Sequence, residues 1–326
     1  MLSSTATRRV LAHQSHVNSK RTYILSALTG AFSVGNYILG NDIKLANQME
    51  NGELHRPKSD NEEELKKLDK PLFERPTPNY EGHVPLHPVE KLATFIGSSI
   101  GAFLHPEENK YIVALGESTA FPFVLRNLRN EMLSDPVGRQ ILRERPRMTS
   151  TSLDLDYLKS LPDNTMGKTY VKWLEREHCS PDTRVQVRFI DDEELAYVFQ
   201  RYRECHDFYH SITDLPIVRE GEIAVKFFEF LNLGIPFAGM GALFAPFNVK
   251  RPDERERLFK IYYPWALKTS ANCKSLINVY WEKVMEKDVD ELRAELGIEV
   301  PPNMRELRKA ARAIRKPKTN QNWSIS

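Results

Sequence analysis

Two histidines four positions apart, set on the apolar stripe of one helix, constrain this chain more than any other feature. Asp191 and Asp192 are good helix-start residues, because a short carboxylate can accept from the free N–H groups of a first turn. Behind them Leu195, Val198, Phe199 and Tyr202 recur at helical spacing. Continuing that stripe leads to His206, Tyr209, His210 and Thr213, so both imidazoles project side by side toward the buried face. Asp207 follows His206 directly, and Glu222 stands twelve residues beyond His210, near the start of another predicted helix. A pattern of His-Asp-x-x-His, eleven residues, then Glu requires two helices to pack against each other if these groups are to meet.

Paired imidazoles at i and i+4 with carboxylates nearby can close on one divalent cation. The candidate ligands are His206, Asp207, His210 and Glu222. Two nitrogen and two oxygen donors suit Zn²⁺ and also accept Fe²⁺ or Mn²⁺. A zinc protease carries Glu after its first His as a general base; Asp207 is one methylene shorter and is better cast as a ligand. The bland alternative is two core histidines satisfied by neighbours, with Glu222 a solvated helix-start residue. A helical phosphohydrolase is less well matched, since it needs a further upstream His and a downstream Asp where this chain has Glu.

The rest of the folded region also reads as helix. Val89, Leu92, Ala93, Ile96 and Ile100 share one face of a helix that stops before Pro106. Further helices are expected over 119–133, perturbed at Pro122, over 136–143 after Asp135-Pro136, over 165–177, and over 254–270 and 271–296, with Gly297 as a stop. Only Arg184–Ile190 alternates like a strand, too briefly to argue for a sheet. The expected fold class is mostly α, a single multi-helix domain with a metal site between two helices.

The ends differ in character. No acidic residue precedes Asp42, while Arg8, Arg9, Lys20 and Arg21 are interleaved with hydroxyl residues; residues 1–41 read as a mitochondrial transit peptide and leader. Residues 42–82 are a charged, proline-containing linker, 83–302 the folded body, and 303–326 a basic tail. That tail carries a thin apolar stripe of Met304, Leu307, Ala311 and Ile314, which could rest on an anionic membrane. Forty-six basic against 44 acidic residues exclude a protein built chiefly to grip nucleic acid. Three scattered cysteines cannot make a full disulfide framework, which points to a reducing compartment. Phe230 to Val249 has no charge, but its glycines and prolines rule out an ordinary membrane span, leaving a buried core segment or an apolar lip beside the metal.

The run His206-Asp207-Phe208-Tyr209-His210 through Glu222 resembles the coenzyme Q (ubiquinone) biosynthesis family, the fourth member of the Coq series. Arg145-Pro146-Arg147, Ser152-Leu153-Asp154, Ser180 to Arg184, Asp191 to Tyr197 and Glu295 to Ile298 carry the same likeness, over about residues 83–302. The resemblance implies that His206, Asp207, His210 and Glu222 bind a metal. It also implies a lyase that removes the C1 carboxylate of 4-hydroxy-3-methoxy-5-(all-trans-polyprenyl)benzoate, with C1 hydroxylation coupled in some accounts; a non-catalytic scaffold is the alternative. The implied setting is the matrix face of the mitochondrial inner membrane, peripherally bound. The implied company is other ubiquinone-biosynthesis proteins in a multi-subunit complex, a polyprenylated hydroxybenzoate lipid, and conceivably a second copy in a homodimer. Arg145 and Tyr209 are conceivable carboxylate clamp and proton donor, but surface pairing and core packing explain them equally well.

Overall fold

The computed structural model describes residues 75–105 and 108–315. The leader, residues 42–74 of the linker and residues 316–326 of the tail lie outside the described residues. Among those described the fold is mostly α, with one isolated bridge between Thr165 and Asp288 and no strand. The chain separates after Thr119 into two compact units.

In the first unit, α1 (Pro88–Leu104) is opened by a capping box in which Glu90 accepts from the His87 backbone N–H at 2.8 Å. It packs against α2 (Asn109–Ser118). The buried face is Ala93, Thr94, Gly97, Ser98 and Gly101, not the large apolar residues expected from periodicity. Ala93 is buried as expected, yet Val89 and Leu92 are 51% and 58% exposed. Close approach explains the difference: a methyl group at Gly101 would overlap the ring of Tyr111, so only small residues fit there.

The second unit is built on one long helix. Helices α3 (Pro122–Ser134) and α4 (Pro136–Glu144) come first; Asp135 caps α4 by accepting from the N–H groups of Val137 and Gly138 at 2.7 and 2.9 Å. Two short turns follow, α5 (Ser150–Leu153) and α6 (Leu155–Ser160), then α7 (Met166–Glu177), capped by Thr165. The long helix is α8 (Glu193–Thr213), with Asp192 accepting from Leu195 N at 2.9 Å. Leu195 to Tyr202 and Glu204 to Thr213 are all buried. A helix so enclosed must satisfy its polar side chains internally. Arg201 grips Glu282 with both terminal nitrogens, at 2.5 and 3.0 Å, and donates to the Val279 carbonyl at 3.1 Å. Glu204 accepts from Arg147 and from the Met148 backbone N–H. The strand-like stretch before α8 forms no strand among the described residues: Val187 N donates to the side-chain oxygen of Gln200 at 2.8 Å.

Next come α9 (Arg219–Leu233) and α10 (Pro236–Phe244), followed by α11 (Pro252–Arg257), which passes through a π-turn (Leu258–Tyr262) into α12 (Tyr263–Asn272). This matches the helix expected over 254–270. The helix expected over 271–296 does not form; two 3₁₀ turns precede α13 (Val289–Leu296). The backbone of that stretch bonds elsewhere: Met285 O accepts from Gly167 N at 2.8 Å, Leu296 O from Lys274 N at 2.9 Å, and Leu276 N donates to the Asn232 side chain at 3.0 Å. Its apolar residues Leu276, Ile277 and Trp281 are fully buried, so packing overrides helix propensity. The last helix, α14 (Met304–Arg315), is held to the body by ion pairs from Arg305 to Glu177 and Asp214 and from Arg308 to Glu220 and Glu254.

Phe230 to Val249 divides by face. Ala238, Gly239 and Ala242 of α10 are buried, whereas Leu243 and Phe244 are each 58% exposed and Phe247 is 75% exposed. No helix among the described residues is long and apolar enough to cross a membrane.

Candidate metal centre

Helices α8 and α9 meet at the residues singled out by spacing. The loop between them leaves α8 through Asp214, which adopts the left-handed conformation at φ 54°. It then turns at Pro216 into the first turn of α9. Gly221 sits there against the Pro216 carbonyl so closely that any side chain would collide with that oxygen. This contact brings Glu222, the next residue, within reach of the histidine pair.

The structure gathers His206, His210 and Glu222, whose ligand atoms all lie within 4.8 Å of one another. Glu222 reaches His206 Nε2 at 3.3 Å with one oxygen and His210 Nε2 at 3.4 Å with the other. The opposite ring nitrogens are committed. His206 Nδ1 lies 2.7 Å from Glu229, and His210 Nδ1 lies 3.1 Å from the Leu215 carbonyl. The Leu215 carbonyl only accepts, so His210 Nδ1 carries the proton in the neutral ring and its Nε2 turns a lone pair toward Glu222. His206 Nδ1 faces the Glu229 carboxylate as well as the Lys226 ammonium at 3.1 Å; when its N–H donates to Glu229, its Nε2 does the same. His210 Nε2 is buried and has no hydrogen-bond partner among the described residues. In the neutral rings with this tautomer the three groups face one another as acceptors, and either a cation among them or a proton on an Nε2 relieves the repulsion. A tetrahedral cation with bonds of about 2.0–2.1 Å needs ligand atoms about 3.3 Å apart. The contacts of 3.3 and 3.4 Å run to different oxygens of Glu222, so the three ligand atoms, which lie within 4.8 Å of one another, would draw together on an ion.

Protonation supplies positive charge to these groups by itself. Loss of hydration opposes the charge of Glu222, but the imidazoles of His210 and His206 outweigh it and hold this carboxyl well below the usual range. Glu229 is likewise disfavoured by burial, yet Lys226 and His206 pull it down to about 2. For His206, burial and Lys226 oppose the imidazolium while Glu229 and Glu222 favour it, and the carboxylates win, so its pKa is raised.

Asp207 is not part of this triad: its carboxylate is ion-paired with Arg184. Three other groups escaped the sequence reading. Glu229 is fully buried, orients His206, and accepts from Tyr202 at 3.0 Å and Lys226 at 2.8 Å. Lys226 also lies over the rings of Tyr202 and Phe237. Arg184 is the third. The signal for two of them was present: Glu222, Lys226 and Glu229 fall at i, i+4 and i+7 on one face of an otherwise apolar helix. Arg145 forms a surface pair with Glu193 at 2.9 Å, and Tyr209 packs edge-on against Phe228 in the core.

Comparison with known proteins now bears on this geometry. The family described as Coenzyme Q (ubiquinone) biosynthesis protein Coq4 matches residues 80–302. A relative from Komagataella phaffii, named ubiquinone biosynthesis protein COQ4, mitochondrial, is 63% identical over 297 residues, covering 91% of this chain and 96% of its own length. A relative of the same name from Candida albicans is 62% identical, covering 90% and 91%. A crystal structure of a candidate ubiquinone biosynthesis protein from Nostoc punctiforme shares the fold, with a TM-score of 0.50 and 19% identity over 64% of this chain and 96% of that one. The chain belongs to the Coq4 family of coenzyme Q (ubiquinone) biosynthesis proteins.

Proposed function

We propose that the chain is a metal-dependent carboxy-lyase of ubiquinone biosynthesis, removing the C1 carboxylate of 4-hydroxy-3-methoxy-5-(all-trans-polyprenyl)benzoate. The observation that carries the reading is the convergence of two Nε2 lone pairs and the Glu222 carboxylate, with each Nδ1 already committed to Glu229 or the Leu215 carbonyl. Metal-bound histidines ordinarily donate their second N–H to such acceptors, which fixes tautomer and ring orientation. His206, His210 and Glu222 would hold the ion, Zn²⁺ by donor type with Fe²⁺ or Mn²⁺ also suited. Asp207 is the proposed fourth ligand, released from Arg184. Bound there, a divalent cation would anchor the substrate's oxygens and offset negative charge building on the ring.

The protein's own groups orient and shield. Glu229 and the Leu215 carbonyl hold the two imidazoles rigid, and Lys226 supplies a fixed positive charge beside them. In the reaction the bond between C1 and the carboxylate breaks, its electron pair stays on the ring carbon, a proton replaces it and carbon dioxide leaves. We further propose that the protein works in mitochondria, peripherally on the matrix side of the inner membrane, within a complex of ubiquinone-biosynthesis proteins. The mitochondrial names of the relatives support that location.

Purified protein incubated with a prenylated 4-hydroxy-3-methoxybenzoate tests this reading. Release of carbon dioxide with hydrogen at C1 supports simple decarboxylation; oxygen uptake with hydroxyl at C1 identifies the oxidative form and excludes zinc as the working metal. Metal-replete protein without turnover overturns the lyase. It would leave the ion fastening α9 to α8 in a scaffold that organises the complex and its lipid intermediates.

A further inference from the structure

We propose that Arg184 is the carboxylate-binding residue of this site, holding the anionic group of an aromatic acid beside the three ligating side chains; this rests on the reading above for the identity of that acid. Arg184 lies at the end of the short 3₁₀ turn Pro181–Thr183 and extends to α8, where it pairs with Asp207, the residue adjoining His206. Asp207 is its one hydrogen-bond partner among the described residues. Its Nε is buried and has no hydrogen-bond partner among the described residues.

A guanidinium offers five N–H donors in a rigid fork, and a buried one left open costs free energy unless a ligand fills it. The side chain is 27% exposed, so the group stands at the boundary between the buried centre and solvent. Burial works against its charge, but Asp207 first, then Glu222 and Glu229, more than compensate and raise its pKa. It therefore stays cationic throughout any working pH.

The other cations do not fit the role. Lys226 is already engaged with Glu229, approaches His206 Nδ1 at 3.1 Å and is covered by two aromatic rings. Arg147 is bound to Glu204 at 2.7 Å, and Arg145 to Glu193 on the surface. Of these four cations, Arg184 joins the residue adjoining His206 and keeps an Nε with no partner among the described residues, and its planar fork matches a carboxylate in two-point contact.

The reaction gives this role a distinctive kinetic sign. Carbon dioxide leaves without charge, so an ionic grip on the carboxylate stabilises bound substrate more than the transition state. Weakening the grip should raise KM and leave kcat undiminished, whereas damage to the fold would lower kcat.

The test uses Arg184→Lys, which keeps a positive charge for buried Asp207 but loses the fork. Binding of 4-hydroxy-3-methoxybenzoate and of its methyl ester is measured on metal-loaded full-length protein. Wild type should prefer the acid, and the variant should lose about tenfold of that preference while ester affinity, metal content and melting temperature stay put. A variant with unchanged metal and unchanged acid-over-ester preference overturns the assignment. Should the variant misfold, phenylglyoxal modification of wild-type Arg184, followed by peptide mass spectrometry, decides: slowing by the acid but not the ester supports the role, and equal rates reject it. Carbon dioxide release is scored separately, so wild-type protein that holds the acid through Arg184 without turnover sinks the lyase reading alone.

Discussion

Glu229 Oε1 lies 2.7 Å from His206 Nδ1, fully buried and seven residues along α9 from Glu222, so one helix face both confronts the histidine pair and braces it from behind. Glu229→Gln keeps the shape but weakens the acceptor. It should leave the helix content intact and reduce metal affinity by about 10–100-fold, as loss of an orienting partner does. Titration against a competing chelator checks this; unchanged affinity would mean His206 needs no brace.

Gly221→Ala tests whether the approach of α9 to the Pro216 carbonyl sets the site. The added methyl has no room against backbone, which should destabilise the protein by about 1–3 kcal/mol and displace Glu222. Thermal melting and metal content should fall together. Normal values for both would show that the loop yields without consequence.

Phe244→Asp probes the outer face of α10. With 58% of Phe244 exposed, the substitution should shift stability by no more than about 0.5 kcal/mol. Liposome association and turnover of long-tailed substrate should drop, with metal content unchanged. Unfolding of the variant would reveal a buried role, and wild-type liposome binding would reject a membrane-facing lip.

The Cys205 thiol should be inert in the folded protein. Burial first pushes it up to about 12, and it is fully enclosed, whereas Cys179 and Cys273 are only half-buried. Iodoacetamide at pH 8 should therefore spare Cys205 in the native state and reach all three cysteines on unfolding, where a thiol titrates at about 8.5. Peptide mass spectrometry locates the adducts; rapid native labelling of Cys205 contradicts its burial.

Local signals made much of the fold legible. Asp135-Pro136, Thr165 and Asp192 announce helix starts through contacts within a few residues, and each cap is where its side chain predicts. The 271–296 region misled because its backbone groups are claimed by distant partners such as Gly167 and Asn232. The buried face of α1 misled because helix contact at Gly101 selects small side chains over apolar ones. At the candidate centre, His206, His210 and Glu222 were readable from helical pitch. Glu229, Lys226 and Arg184 required knowing how α9 and the segment before α8 lie against the histidines. The pairing of Asp207 with Arg184 was likewise beyond what adjacency to His206 can show.

Elemental analysis of purified wild type, His206→Ala and His210→Ala tests the central claim most directly. The account predicts about one divalent ion per chain in wild type and near-complete loss in each variant, because removing one of two neutral nitrogen donors leaves a carboxylate site too weak to survive purification. Full metal occupancy in both variants would contradict it.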